Sequence, residues 1–458
     1  MIEGLKPYAE YKESDIPWAR ALPSSWQTER AKRLFTKMQR LVRPEDDVVT
    51  CFRDGMVTLR KNRRLRGFTE ATVFSGYQGI RKGDLVIHGM DAFAGAIGVS
   101  DSDGKGTPVY NVCKPGPGVV ASYYAHTVRE MSRSQWILAL AKGIRERSTD
   151  FRYEMFGNQI VPLPPPDEQA AIVRFLDHAN RKIDGWVRAK RKLIGLLNEQ
   201  KQAIIHRAVT RGLHPDVPLK PSGIPWLGDI PQHWGIVRNM ALFAHRVEPG
   251  IAGLPVLQVS LRSGITAEEL DQFGRPKRLI ADATKYKRIH QGDMAYNTMR
   301  MWQGAVGVSP SDGLVSPAYV VLKPRKDTCP EFYDFIFHTE VYKQQVNRQS
   351  TGIVSDRNRL YWDSFKQMPN LTLPATEQKE IVTFIDKETA ALTTAIARTE
   401  REIALMQEYR TRLTADLVTG KLDVREAAAH LPAPPAAAAT EPIADEPLEE
   451  IETEEIEP

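Results

Sequence analysis

A chain of 458 residues is too long for one ordinary hydrophobic core, and 26% charged with 42% hydrophobic residues is the composition of a globular chain, not a disordered or membrane-embedded one. The net charge of +5 hides an asymmetry, because Glu426 to Pro458 carries ten carboxylates and no lysine or arginine, leaving +15 on residues 1–425. A body this basic points to a polyanionic partner, with nucleic acid first.

The N-terminus has no basic region followed by an apolar one, and the longest apolar stretch, at 136–141, is far below the roughly 20 residues that span a bilayer. No membrane partner is expected. Cys51, Cys113 and Cys329 are odd in number and not spaced as metal ligands, so they read as buried thiols in a reducing cytoplasm.

In chain order, "IPWARALPSSW" at 16–26 comes first and returns as "IPWLGDIPQHW" at 224–234. "KGDLVIHGMDAFAGAIGVS" at 82–100 returns as "QGDMAYNTMRMWQGAVGVS" at 291–309. In both, Gly-Asp before an apolar stretch predicts a turn into a strand, and "GAIGVS" and "GAVGVS" predict a second strand. Helical spacing follows at 123–146 and 330–349, then a proline segment that should run extended. Those segments end in "LPPPDEQAAIVRFLD" at 163–177 and "LPATEQKEIVTFID" at 373–386, with Glu168–Asp177 and Glu377–Asp386 identical at six of ten positions. Asp167 and Thr376 are positioned to cap the helices that start there.

Those helices should be long. Ile172, Leu176, Ala179, Ile183, Trp186, Lys190, Leu193, Leu197, Gln200 and Ile204 alternate steps of four and three, as do Leu392, Ile396, Thr399, Ile403, Met406, Arg410, Leu413 and Leu417. This is the spacing of a coiled-coil seam. The sequence is therefore a tandem duplication. We expect an α+β fold of two mixed α/β domains joined by two long helices in an antiparallel coiled coil, related by a pseudo-two-fold axis. The expected boundaries are 1–165 and 214–374 for the domains, 166–213 and 375–425 for the helices, and 426–458 for a disordered acidic tail.

No phosphate loop, H-E-x-x-H, paired-cysteine or G-x-S-x-G motif is present. The glycine-rich "DAFAGAIG" loosely resembles a methyltransferase cofactor loop. Its repeat keeps Gly95 and Gly98 as Gly304 and Gly307 but loses the acidic Asp91, so the glycines read as structural. The chain is expected to be non-catalytic and to hold no cofactor or metal. Basic clusters are the better lead. Arg60, Lys61, Arg63, Arg64 and Arg66 lie beside Phe68; Arg275, Lys277 and Arg278 follow in the second domain; Asn297, Arg300 and Gln303 surround Trp302; and Arg357 and Arg359 sit in a late loop. Arg, Asn and Gln suit base edges, and Lys suits phosphate.

Two domains, each ending in a proline segment, Glu-Gln and a long helix, resemble the specificity subunits of type I restriction–modification systems over residues 13–425. The motifs that carry this resemblance are "LPPPDEQ", "LPATEQ" and "IPWLGDIPQHW". The acidic tail lies outside the family pattern. The resemblance implies that each domain reads one half of a split double-stranded DNA target. It also implies that the helices space the halves and dock two methyltransferase subunits, which motor–nuclease subunits join. Adenosylmethionine, ATP and Mg would then belong to those partners. Other classes of protein that share some of these features are a self-contained methyltransferase or nuclease, opposed by the missing motifs, and a non-DNA-binding coiled-coil scaffold, opposed by the basic body.

Overall fold

The computed structural model describes residues 5–63, 76–140, 150–224, 227–261, 264–267, 282–350 and 358–432. Two compact units emerge, one of Met1–Ala189 with Glu402–Pro458 and one of Lys190–Arg401. Each unit therefore holds one globular domain and half of each long helix.

In the first unit, β1 (Tyr11–Glu13) pairs antiparallel with β2 (Ala21–Pro23) as an edge hairpin. After β3 (Gln27–Arg30) and the one-turn α1 (Ala31–Leu34) comes β4 (Phe35–Lys37). The hairpin of β5 (Val49–Cys51) and β6 (Val57–Leu59) follows. Next are β7 (Gln78–Ile80), β8 (Leu85–His88), β9 (Ile97–Val99), β10 (Gly104–Gly106) and β11 (Tyr110–Pro115). The central sheet is antiparallel, in the order β4-β11-β8-β9. The Gly83-Asp84 pair makes the expected turn into β8: Gly83 takes φ +90°, and the Asp84 carboxylate accepts the Arg81 backbone N–H at 2.8 Å.

The stretch expected as one helix is two, α2 (Ala121–Arg133) and α3 (Trp136–Leu140), broken where Gln135 takes φ +62°. After α4 (Tyr153–Gly157), the proline segment becomes β12 (Ile160–Leu163), paired with β3, and runs straight into α5 (Pro166–Arg211).

The second unit repeats the plan. Its strands are β13 (Leu219–Pro221), β14 (Asp229–Pro231), β15 (Gly235–Arg238), β16 (Phe243–Arg246), β17 (Leu257–Ser260), β18 (Gly264–Ala267), β19 (Lys287–Ile289), β20 (Met294–Asn297), β21 (Val306–Val308), β22 (Gly313–Val315) and β23 (Tyr319–Pro324), with the one-turn α6 (Asn239–Leu242) before β16. The sheet order β16-β23-β20-β21 matches the first unit strand for strand. Here α7 (Pro330–Phe337) and α8 (Glu340–Gln349) are split by the Thr339 cap. After α9 (Trp362–Phe365), β24 (Pro369–Thr372) pairs with β15 and leads into α10 (Ala375–Val418), with a last short α11 (Arg425–Ala429) in the first unit. Asp293 accepts the His290 N–H as Asp84 accepts that of Arg81, so the duplication reaches single hydrogen bonds.

The repeated Glu-Gln explains how each domain is seated on its helix. Trp26 and Trp234 are wholly buried. The Trp26 indole donates to Glu168 at 2.9 Å, and the Tyr8 hydroxyl donates to the same oxygen. The Trp234 indole donates to Glu377 at 3.0 Å, with His233 on its other oxygen at 2.8 Å. Beside each glutamate the glutamine ties down backbone. Gln169 accepts the Val120 N–H and donates to the Pro164 carbonyl, while Gln378 accepts the Cys329 N–H and donates to Leu373. These carboxylates were expected only to face the positive first turn; they also bind a tryptophan more than 140 residues away. The end of the opposite helix reaches the same place, with Gly420 packed against Pro23 and Trp26 in the first unit and Gly212 against Trp234 and Pro231 in the second.

Within the first unit the two helices run antiparallel, since Ile172 and Leu176 share a core with Leu417 and Leu413, and Asp184 pairs with Arg410. Within the second, Ile205 and Val209 share a core with Ile385 and Ile381, and Lys201 bonds Thr393 at 3.0 Å. The expected seam holds at the start of α5 and then slips by one residue: Val187 and Ile205 are buried in place of Trp186 and Ile204, and Leu193 is 40% exposed. A straight helix drifts by about 20° per heptad from a strict 3.5-residue repeat, enough over three heptads to rotate Leu193 outward.

Candidate nucleic-acid interface

The first basic cluster begins at the end of β6, where the backbone makes one 3-10 turn over Arg60–Asn62. Arg60 Nε donates to Thr50 at 3.3 Å, and Lys61 pairs with Asp47 at 2.6 Å with both side chains mostly exposed. That lysine holds the Asp47 carboxyl below the ordinary range. Arg63 behaves differently. Its guanidinium lies 4.4 Å over the Phe52 ring and pairs with Asp54 at 2.6 Å, leaving the side chain only 10% exposed. It braces the β5–β6 hairpin, so the run does not present its cations on a single solvated face. Arg64, Arg66 and Phe68 lie outside the described residues.

In the second unit Arg275, Lys277 and Arg278 lie outside the described residues, as does Arg357. Arg359 is described and exposed, close in sequence to the half-exposed Tyr361. Around Trp302 the three chosen side chains separate. Asn297 ends β20 at 9% exposure, and its amide oxygen accepts the Met299 N–H at 3.0 Å, a structural task. Arg300 and Gln303 are exposed at either end of the 3-10 turn Met301–Gln303. That turn is fixed by the Trp302 indole, which donates to the Met299 carbonyl at 2.9 Å, and by Gly304 at φ +97°.

The equivalent turn in the first unit, Ala92–Ala94, is closed by Gly95 at φ +87°. Its chemistry is reversed. Asp91 stands where Arg300 stands, and it is neutralised by Arg53 at 3.0 Å. One backbone device therefore carries a cation and an amide in one repeat, a paired carboxylate and a methyl in the other. Sequence reasoning missed Arg53, and also the exposed aliphatic residues of the loops after β4 and β16: Leu41, at 92% exposure, and Val247, at 68%. A lone aliphatic residue in a loop leaves no periodic signal.

Among the described residues no group of His, Cys, Asp and Glu is placed to hold a metal ion, and no helix is long and apolar enough to cross a membrane. All three cysteines are free and buried, and burial pushes the Cys51 thiol up to about 12.

The chain matches no protein-family model and no curated protein. It does match solved structures. A chain from a structure of the type I R-M system, determined for its complex assembly and conformational transition, has a TM-score of 0.58 at 14% identity and covers 87% of this chain and 98% of its own length. The HsdS subunit from Thermoanaerobacter tengcongensis scores 0.41 at 15% identity, over 87% and 98%. The S subunit of the Type-I restriction-modification system from M. genitalium scores 0.34 at 11% identity, over 86% and 96%. The correspondence in fold rests on the first of these, and it joins the resemblance carried by the Glu-Gln junctions.

Proposed function

We propose that this chain is the DNA-recognition subunit of a type I restriction–modification complex. Each globular domain reads one block of a bipartite double-stranded target. The helices set the unread spacer and dock two methyltransferase subunits, to which motor–nuclease subunits add. The chain does no chemistry itself; adenosylmethionine, ATP and Mg act on the partner subunits, and the assembly works in the cytoplasm. A target base is flipped into a methyltransferase pocket, since its reacting atom is out of reach within the stack.

The observation that carries this reading is the pair of turns at Ala92–Ala94 and Met301–Gln303. Two copies of one scaffold that keep their glycines and exchange Asp91 for Arg300 and Ala94 for Gln303 are what two readers of different sequences require. The test is methylation by the chain with its separately encoded methyltransferase, mapped base by base on genomic DNA. The expected result is a two-block motif that disappears when either protein is omitted. Methylation or cleavage by the pure chain would overturn it in favour of a self-contained enzyme.

A further inference from the structure

On the solvent side of α10, Phe384 stands 37% exposed in a shallow depression with Lys379, Glu380, Thr383 and Lys387. Its counterpart 209 residues earlier, Phe175, is only 1% exposed. The first unit shows what buries it. Beyond Gly420 the chain turns into α11, whose Val424 and Ala428 belong to the same core cluster as Phe175, with Leu431 packed against that cluster. Arg174, next to Phe175, donates to the Leu431 carbonyl oxygen. No such helix follows α5, because Pro215, Pro218 and Pro221 occupy that stretch and the chain enters β13 instead. The same apolar position is thus roofed in one repeat and open in the other.

We propose that the open Phe384 face receives a short helix of the methyltransferase subunit, so that the two docks on this chain are inequivalent. The incoming helix has the chemistry of α11: small and aliphatic residues over the phenyl ring, with carboxylates added to meet Lys379 and Lys387. At the first repeat the partner meets α11 in place of Phe175. This inference rests on the methyltransferase-docking role proposed above.

Full-length chain titrated with its methyltransferase subunit and followed by native mass spectrometry tests it. Two binding steps of different affinity are expected. Phe384→Ala, or Lys379→Glu with Lys387→Glu, should weaken one step by about tenfold or more and leave the other in place. Because all three side chains are exposed, an unchanged circular dichroism spectrum and melting temperature should accompany the loss. If wild-type chain binds the subunit but neither variant alters either step, or both steps weaken alike, the Phe384 dock is wrong and the recognition role stands. If wild-type chain binds no methyltransferase at all, both fall together.

Discussion

Glu168 sits at 3% exposure and accepts hydrogen bonds from Trp26 and Tyr8, two donors buried in the same core. Burial first, and Glu168 second, push the Tyr8 hydroxyl well above its ordinary pKa, so it stays protonated and donating. Glu168→Leu would leave both donors without this acceptor, at about 1–3 kcal/mol for each, whereas Glu168→Gln keeps an acceptor oxygen and should cost much less. Urea unfolding of the two variants checks the order; equal midpoints would mean that the carboxylate is only a helix-start charge. On the reading surface, Arg300→Ala should lower DNA affinity, by about 1–3 kcal/mol with relaxed specificity at one position if the lost contact is to a base. Loss across all sequences with a flatter salt dependence would mark a phosphate contact, and no change in either would remove Arg300 from the interface. At this scale the sequence was only half legible. Gly83-Asp84 announced its turn, because turn chemistry is local. The partners of Glu168 and Arg63 did not, because Trp26 lies 142 residues from one and the Phe52 ring lies across a hairpin from the other.

The two long helices end on glycines in the left-handed region, Gly212 at φ +71° and Gly420 at φ +74°. A Cβ at Gly212 would lie 3.4 Å from the Trp234 ring, an ordinary contact. A Cβ at Gly420 would overlap the Pro23 ring and lie 3.1 Å from Trp26. Both alanine substitutions carry the backbone penalty of about 1 kcal/mol, and Gly420→Ala should cost further because a proline ring cannot swing aside. Thermal melts should show Gly420→Ala as the less stable of the two; the reverse order would place the helix end elsewhere. Helix starts and glycine stops were readable from sequence because they depend on capping and backbone freedom. The seam was readable only near its start, since a heptad rule applied to a straight helix loses register with length. The break at Gln135 carried no signal, as a non-glycine residue at φ +62° is seldom chosen by local preference.

Across the whole molecule, the duplication separates letters from spacing. Replacing residues 13–165 by the matching domain of another such protein should change one block of the methylated motif and leave the second block and the spacer. Adding one heptad to the Pro166–Arg211 helix lengthens it by about 10 Å, which at about 3.4 Å per base pair widens the spacer by at most three pairs. Sequencing methylated sites for both proteins checks this, and an insertion that rewrote the letters would show that the helices are not the ruler. The tandem architecture itself was legible, because 208- and 209-residue shifts align motifs of both domains, whereas the chemistry of the reading surfaces was not, because the two copies differ there. The Glu-Gln clamp has a consequence for inheritance. Much of its grip falls on one tryptophan and on main-chain groups, the Val120 and Cys329 N–H and the Pro164 and Leu373 C=O. Main-chain groups are common to every residue but proline, so the seat places few demands on the identity of what it holds. A lineage can rewrite or exchange a recognition surface wholesale and inherit a working joint, which lets the preferred DNA word change faster than the machinery that acts on it.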